Sequence, residues 1–345
     1  MKQNDRPTLA IHRIQPIDLD NPRIQAALER TRRAITNPRL TDLLRVRTEV
    51  QMYLCNRLVE SGFVHPPVYM LAGCTDPLSH WTYPARISYY GEELSITQSL
   101  ILQKILLVML SPAEKVFFAS PNIRLEMRID GREYKYVTEF MQVDFEQKNA
   151  TYEYMLEYIS DLLCGLLAHL RQKLGPLCEK IRGEALPEIS RLEVFDAEQI
   201  KKQQGFESYD EVEIFLSQNS GGRPFFLVNL EREAYDCYDE ASGRFLNYDV
   251  ILPPVGRNPH PVEVLSGAER TRSLSKFRER MQALGYPLEY FAPFYQLFSS
   301  LSESEEIRCA GAGFGVERLA YGLLGLSDIH PLYPFPRPAE GHIAI

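Results

Sequence analysis

Three glycines alternate in Gly311-Ala312-Gly313-Phe314-Gly315, and the chain runs on through Val316-Glu317-Arg318 into an apolar stretch that ends at Leu324. Alternating glycines give a backbone that something can approach closely, because no Cβ stands in the way. An arginine then opens a helix-like run. A close-approach strand beside a fixed guanidinium suits a nucleotide: the flat base slides over the backbone and the cation covers its other face. Taken alone, the same glycines fit a tight turn equally well.

Composition narrows the choices. The chain has 345 residues, 45% hydrophobic and 24% charged, enough to bury one large core or two modest ones. Its formal net charge of -8 argues against a broad nucleic-acid footprint. The longest apolar run, Ile105-Leu106-Leu107-Val108-Met109-Leu110, is too short to span a bilayer, and the N-terminus lacks the apolar core of a signal peptide. The six cysteines (55, 74, 164, 178, 237 and 309) contain no Cys-x-x-Cys pair and read as reduced thiols. The expected setting is the cytoplasm, with no membrane partner.

Residues 1–22 are polar and punctuated by proline, which predicts an extended arm. Asn21-Pro22 predicts a helix start, Thr41 to Ser61 a second helix, Ile87–Ile96 a hairpin about Gly91, and Thr97–Leu110 a third helix. Strands are expected at Lys115–Ser120, Ile123–Arg128 and Thr138–Gln147, then a long helix from Thr151 that Gly175-Pro176 ends. Phe225–Leu230, Phe245–Leu252 and Val262–Leu265 read as strands, Ala268–Leu284 and Val316–Leu324 as helices. The strands come in neighbouring runs without strict strand-helix-strand alternation. The expected fold is therefore α+β: a mostly antiparallel sheet of about six to eight strands flanked by helices. With no repeat or long linker, the chain reads as an N-terminal extension over 1–37 and one domain over 38–345.

Two further segments carry chemistry. Pro121-Asn122-Ile123-Arg124-Leu125-Glu126 places a cation and a carboxylate two residues apart, hence on one face of a strand. Thr138-Glu139-Phe140-Met141-Gln142-Val143-Asp144-Phe145-Glu146 lines up a ring, an amide and a carboxylate at 140, 142 and 144. Arg-x-Glu, a loop, Thr-Glu-Phe and the distal Gly-x-Gly-x-Gly-x-Glu-Arg together resemble the class II aminoacyl-tRNA synthetases of the aspartyl/asparaginyl branch. Thr97–Lys104, Glu263–Arg270 and Pro334-Phe335-Pro336-Arg337 resemble the same branch. The resemblance covers roughly residues 40–345 and joins several ordered motifs. Too little chain precedes the first core helix to build the branch's anticodon-binding barrel. Thr75-Asp76-Pro77-Leu78, Ser120–Glu126 and Ala310–Leu319 look like the stand-alone archaeal-type asparagine synthetases.

The resemblance implies the class II synthetase catalytic fold, with ATP and Mg2+ as cofactors. By it, Arg124 and Arg318 are catalytic, with Arg124 holding the α-phosphate. Glu126 faces the adenine amino group, Phe140 and Arg318 sandwich the ring, Gly313 and Gly315 let it approach, and Arg132 or Lys135 holds the terminal phosphates. Glu263 and Ser266 match the family's magnesium ligands, with Asp249 as an additional candidate. Lys104 and Arg270 fall where the branch grips a carboxylate, and two cations converging on one buried site imply an anion. Asp144, with Gln98 or Gln142, holds the ammonium group, and Asp76 belongs to a lid over the amino acid. The implied reaction is adenylation of the aspartate side-chain carboxylate and amidation by ammonia, with release of AMP and pyrophosphate by a homodimer. One alternative is a ligase that joins an adenylated acidic amino acid to another amine. Another is a non-catalytic relative that binds tRNA or a protein, although the acidic charge balance argues against tRNA. Read without the resemblance, Lys104 is a solvated helix lysine, Phe140 a core ring, and Asp144 and Glu146 a plain polar strand face.

Overall fold

The computed structural model describes residues 17–76, 78, 82–127, 129, 131–232, 234–271, 273–298 and 308–339. Helices α1 (Pro22–Ile35) and α2 (Leu40–Glu60) come first. Short strands β1 (Leu71–Ala72), β2 (Thr82–Tyr83), β3 (Arg86–Tyr89) and β4 (Glu92–Ile96) follow. Then come α3 (Ile101–Leu110), β5 (Lys115–Ile123), β6 (Leu125–Glu126), β7 (Glu139–Lys148) and the long α4 (Tyr152–Arg182). The next group is β8 (Glu193–Asp196), α5 (Ala197–Gln204), α6 (Tyr209–Asn219), β9 (Phe225–Val228), β10 (Tyr238–Asp239) and β11 (Arg244–Phe245). The last are β12 (Asn247–Leu252), β13 (Val262–Glu269), α7 (Leu274–Ala283), α8 (Ala292–Phe298), β14 (Cys309–Gly315) and α9 (Val316–Leu324).

Seven strands form the main sheet in the order β5-β7-β14-β13-β12-β9-β8. Only the β9–β8 pair is parallel, so the fold is α+β as expected. Helices α2, α4 and α9 cover one face. Val46, Val50 and Leu54 of α2, Leu163 and Leu166 of α4, and Leu319 and Leu323 of α9 join one buried cluster with Val143, Phe145, Ala312 and Phe314 of the sheet. Alternation along β14 sends Ala310, Ala312 and Phe314 into that cluster and turns its glycines to the opposite face. Glu317 fastens the arrangement. Its buried carboxylate accepts from the Met141 amide (2.9 Å) and from Arg47 Nη2 (2.7 Å), tying α9 to β7 and α2.

Several boundaries differ from the expectation, each for a physical reason. Thr97–Leu100 stay outside α3. Thr97 Oγ1 donates to Tyr69 O (2.8 Å), and the Gln98 amide donates to Thr75 Oγ1 (2.9 Å). The first of the two strands expected about residue 120 runs on through Pro121 to Ile123 as β5, while Leu125–Glu126 of the second is a separate strand, β6, paired with β2. Strand β5 is the edge strand of the sheet, where Pro121 breaks no ladder by its missing N–H. Helix α4 continues past Gly175-Pro176. The break falls at Leu174 (φ -133°, ψ 17°), and Pro176 then sits near the start of a new helical segment, where its missing N–H is not needed. Ala268 lies in β13 and not in a helix, because it pairs on both sides, with Asn247 and Gly311. Residues 1–16 of the expected arm and Pro77 of the expected lid lie outside the described residues.

A Cβ on Gly311 would overlap the Phe145 carbonyl and the Glu146 carboxylate. Gly311→Ala is expected to destabilise the protein by about 1–3 kcal/mol, read as a lower urea midpoint at unchanged slope.

Candidate active site

The sheet face opposite the helices forms the floor of the site. Cross-strand register places Asp249, Ser266, Gly313 and Asp144 in one row across β12, β13, β14 and β7. The adjacent row is Asn247, Ala268, Gly311 and Glu146. The glycines sit mid-row, and a Cβ on Gly313 would overlap the Gln142 amide and crowd Asp144. Their bare face thus makes room for charged neighbours as well as for a ligand. A register shift between Val250 and Ile251 leaves Val264 as an extra residue in β13. The bulge resets the alternation. Glu263 and Ser266, three residues apart, therefore both face the cavity, while Leu265 packs in the core.

A cavity of about 270 Å³ lies over this floor. At one end stand Arg124, Glu126, Lys135, Tyr136, Phe140 and Arg318. The Arg124 guanidinium lies over the Phe140 ring (5.2 Å to its centroid) and its Nε donates to Gln98 O (3.1 Å). Arg318 lies over the Tyr136 ring (5.8 Å) and reaches Glu263 at 3.5 Å. Phe140 and Arg318 thus share the cavity wall, each holding a cation–ring contact with another residue. Such contacts are worth roughly 0.5–2 kcal/mol, small enough for a stacking base to replace.

The other end is a chain of buried charges with alternating sign. Lys104 pairs with Asp144 and lies 3.4 Å from Glu146. Glu146 accepts two hydrogen bonds of 2.9 Å from Arg270, whose Nη1 lies 4.0 Å from Asp236. Arg232 reaches Asp236 (3.3 Å), pairs with Asp249, and donates to Gly267 O (2.9 Å). Burial pushes Asp144 above the usual carboxylate range despite Lys104. Burial also pushes Glu146 up, but Arg270 and Lys104 more than offset this, and it ends below its ordinary value. The buried Cys309 thiol bonds Glu146 as well.

The expectations divide accordingly. Arg124, Glu126, Phe140, Gln142, Asp144, Glu263, Ser266, Arg270, Lys104, Asp76, Gly313, Gly315 and Arg318 all line the cavity. Arg132 does not line it; it is fastened to Asp210 of α6, and Lys135 takes the place on the wall. Gln98 turns its side chain the other way, into a second cavity, where it donates to Thr82 Oγ1 (2.9 Å). Lys104 and Arg270 converge as expected, but Asp144, Glu146 and Asp236 already neutralise them, so their convergence does not by itself demand an anionic ligand. Glu263 and Ser266 present oxygen donors on one face, which fits a hard divalent cation. Asp249 lines the same cavity with its carboxylate paired to Arg232, while that of Glu263 is reached by Arg318 at 3.5 Å. Sequence reasoning missed Arg232, Asp236 and Tyr136. Arg232 and Asp236 are spaced four residues apart in a segment without periodicity, which gave no signal.

The family model for class II tRNA synthetases (D, K and N) matches residues 24–339. The chain belongs to this family. It is 26% identical over 271 residues to the cytoplasmic aspartate–tRNA ligase of Rattus norvegicus, covering 73% of this chain and 52% of that one. It is 26% identical over 213 residues to an asparagine–tRNA ligase of Clostridium botulinum, covering 57% and 43%. The chain thus spans about half the length of the curated relatives it matches. The asparaginyl-tRNA synthetase of Pyrococcus horikoshii, solved with asparaginyl-adenylate, superposes with a TM-score of 0.76 at 18% identity, over 94% of this chain and 73% of that one. That likeness shows the shared fold.

A further carboxylate, Glu213 of α6, lies near Glu263 and Lys135. Burial pushes it up to about 8, nearby Glu263 adds to the rise, and Lys135 only partly opposes it. A carboxyl raised in the folded state binds a proton there that the unfolded chain releases near pH 4, so stability falls as pH rises between about 4 and 8. Thermal midpoints of the wild type should decline across that window, and Glu213→Gln should flatten the decline.

Proposed function

We propose that this protein is an AMP-forming ligase that adenylates a small amino acid of the aspartate type and passes the acyl group to a nitrogen nucleophile. What carries the reading is one cavity that joins a guanidinium–ring end to a buried cation–carboxylate end. ATP would lie with its base between Phe140 and Arg318 and its α-phosphate against Arg124, which stabilises charge that grows in the transition state. Glu126 would meet the adenine amino group and Lys135 the outer phosphates. Mg2+ held by Glu263 and Ser266 would neutralise the phosphates and orient them for attack. At the other end Glu146 takes two of the five N–H groups of Arg270, so a substrate carboxylate would compete for the remaining edge, beside Lys104. Asp144 and Gln142 would receive the ammonium group. Positioning a carboxylate against an activated phosphate supplies much of the rate by proximity alone.

The Pyrococcus horikoshii structure of the same fold holds an asparaginyl-adenylate, the kind of intermediate this reading requires. Ammonia as the acceptor would give asparagine, and a larger amine would give an amide of the same acid. Charging of tRNA stands as the second reading, because the relatives are aspartate– and asparagine–tRNA ligases. Exposed Met52 and Val59 on α2, with Val64 beyond it, support a homodimer through that surface. Light scattering should then return twice the 39.7 kDa chain mass.

Aspartate-dependent exchange of pyrophosphate into ATP tests the adenylation. Arg124→Ala should slow it about 100-fold or more while leaving the thermal midpoint nearly unchanged. No exchange in the wild type with aspartate or asparagine would overturn the reading. AMP release with ammonia or with tRNA then decides the acceptor. Binding of Mn2+ in the presence of ATP, followed by electron paramagnetic resonance, should weaken about tenfold or more in Glu263→Gln and change little in Asp249→Asn.

A further inference from the structure

A second cavity of about 250 Å³ lies beside the first, and Asp76 lines both. The wall between them is thin. Gln98 gives its carbonyl to Arg124 of the first cavity and its side chain to the second. Asp76 is buried and accepts from Ser99 Oγ (2.6 Å) and the Leu78 amide (3.1 Å). Aromatic residues build the far side. Tyr290 shares a hydrogen bond with Ser95 Oγ (2.7 Å) and accepts from the Thr75 amide (3.0 Å), which fixes its ring beside Phe291 (4.8 Å between centroids). At the mouth, Arg86 of β3 lies over the Tyr290 ring at 6.0 Å and pairs with no carboxylate among the described residues. The contrast with the first cavity is direct, because Lys104, Arg232 and Arg270 are all paired there.

We propose that this second cavity seats the acceptor of the ligase reaction, and that the acceptor is an amine bearing a carboxylate and an apolar or aromatic body. The inference rests on the adenylation reading above. Ammonia is about the size of one water, and this cavity admits many water-sized positions, so ammonia alone leaves most of it unfilled. The carboxylate pairs with Arg86, the apolar body lies on Tyr290 and Phe291, and the amine meets Asp76 at the doorway. In the transfer step the amine lone pair attacks the acyl carbon of the adenylate and forms the C–N bond. The bond from that carbon to the phosphate oxygen breaks, AMP leaves with the electron pair, and the amine proton passes to water.

L-phenylalanine and phenethylamine, which differ by the carboxylate, serve as probes with the full chain. Calorimetry should show L-phenylalanine bound at least tenfold more tightly than phenethylamine, with the preference lost in Arg86→Ala and partly kept in Arg86→Lys. In the presence of ATP, Mg2+ and aspartate, AMP release should follow the same order, while pyrophosphate exchange without any acceptor stays at the wild-type level in both variants. Equal binding of the two probes, or a preference that survives Arg86→Ala, overturns the proposal, as does AMP release with ammonia alone. Absence of exchange with the binding preference intact would remove the adenylation reading and leave the second site standing.

Discussion

The site depends on a line of buried charges that no single element could hold. Lys104 comes from α3, Asp144 and Glu146 from β7, Arg270 from the end of β13, Arg232 and Asp236 from the segment after β9, and Asp249 from β12. An isolated ion in such surroundings costs several kcal/mol, and only neighbours of opposite sign in close contact offset it. Each member is therefore tolerable only because the next is in place. The line couples the helix, three strands and a loop into one cooperative unit. It holds three cations against four carboxylates, so any ligand entering there exchanges one set of ion pairs for another. Truncating a member leaves its partner uncompensated, so substitutions at Lys104 or Arg270 lower folding stability whatever else they change.

The end proposed for the nucleotide works on weaker forces. Arg124 on Phe140 and Arg318 on Tyr136 are contacts between a planar cation and a ring, partly open to water. They keep the rings and guanidinium groups spread along the wall without locking them. Rigid ion pairs at one end and exchangeable stacking at the other suit the proposed pairing of a small polar substrate with a large flat one.

Much of this was legible in the chain itself. The glycine alternation, Arg124-x-Glu126 and Phe140-x-Gln142-x-Asp144 are short-range patterns, and period two alone places each set on one face. The sheet was recognisable in class, though Pro121 and Gly175-Pro176 read as breaks where an edge position and a kink accommodate them. Pairing across long separations was not legible. Nothing in the local sequence says that Arg232 holds Asp249, that Arg132 is drawn away to Asp210, or that Glu146 neutralises Arg270. The face of Gln98 was also hidden, because Thr97–Leu100 read as helix while two side chain–backbone bonds hold them out of it.

The extra residue at Val264 has a consequence for the spacing of the strand. In an unbroken ladder, positions three apart point to opposite sides, and Glu263 and Ser266 could never serve one pocket. Deleting a single residue between them would abolish the irregularity, restore strict alternation, and still leave both oxygens on a common side, now at separation two. Against β12 their register would stay as it is, Glu263 opposite Ile251 and Ser266 opposite Asp249. The odd spacing of the two donors is thus tolerated only because the strand carries a defect in its hydrogen bonding.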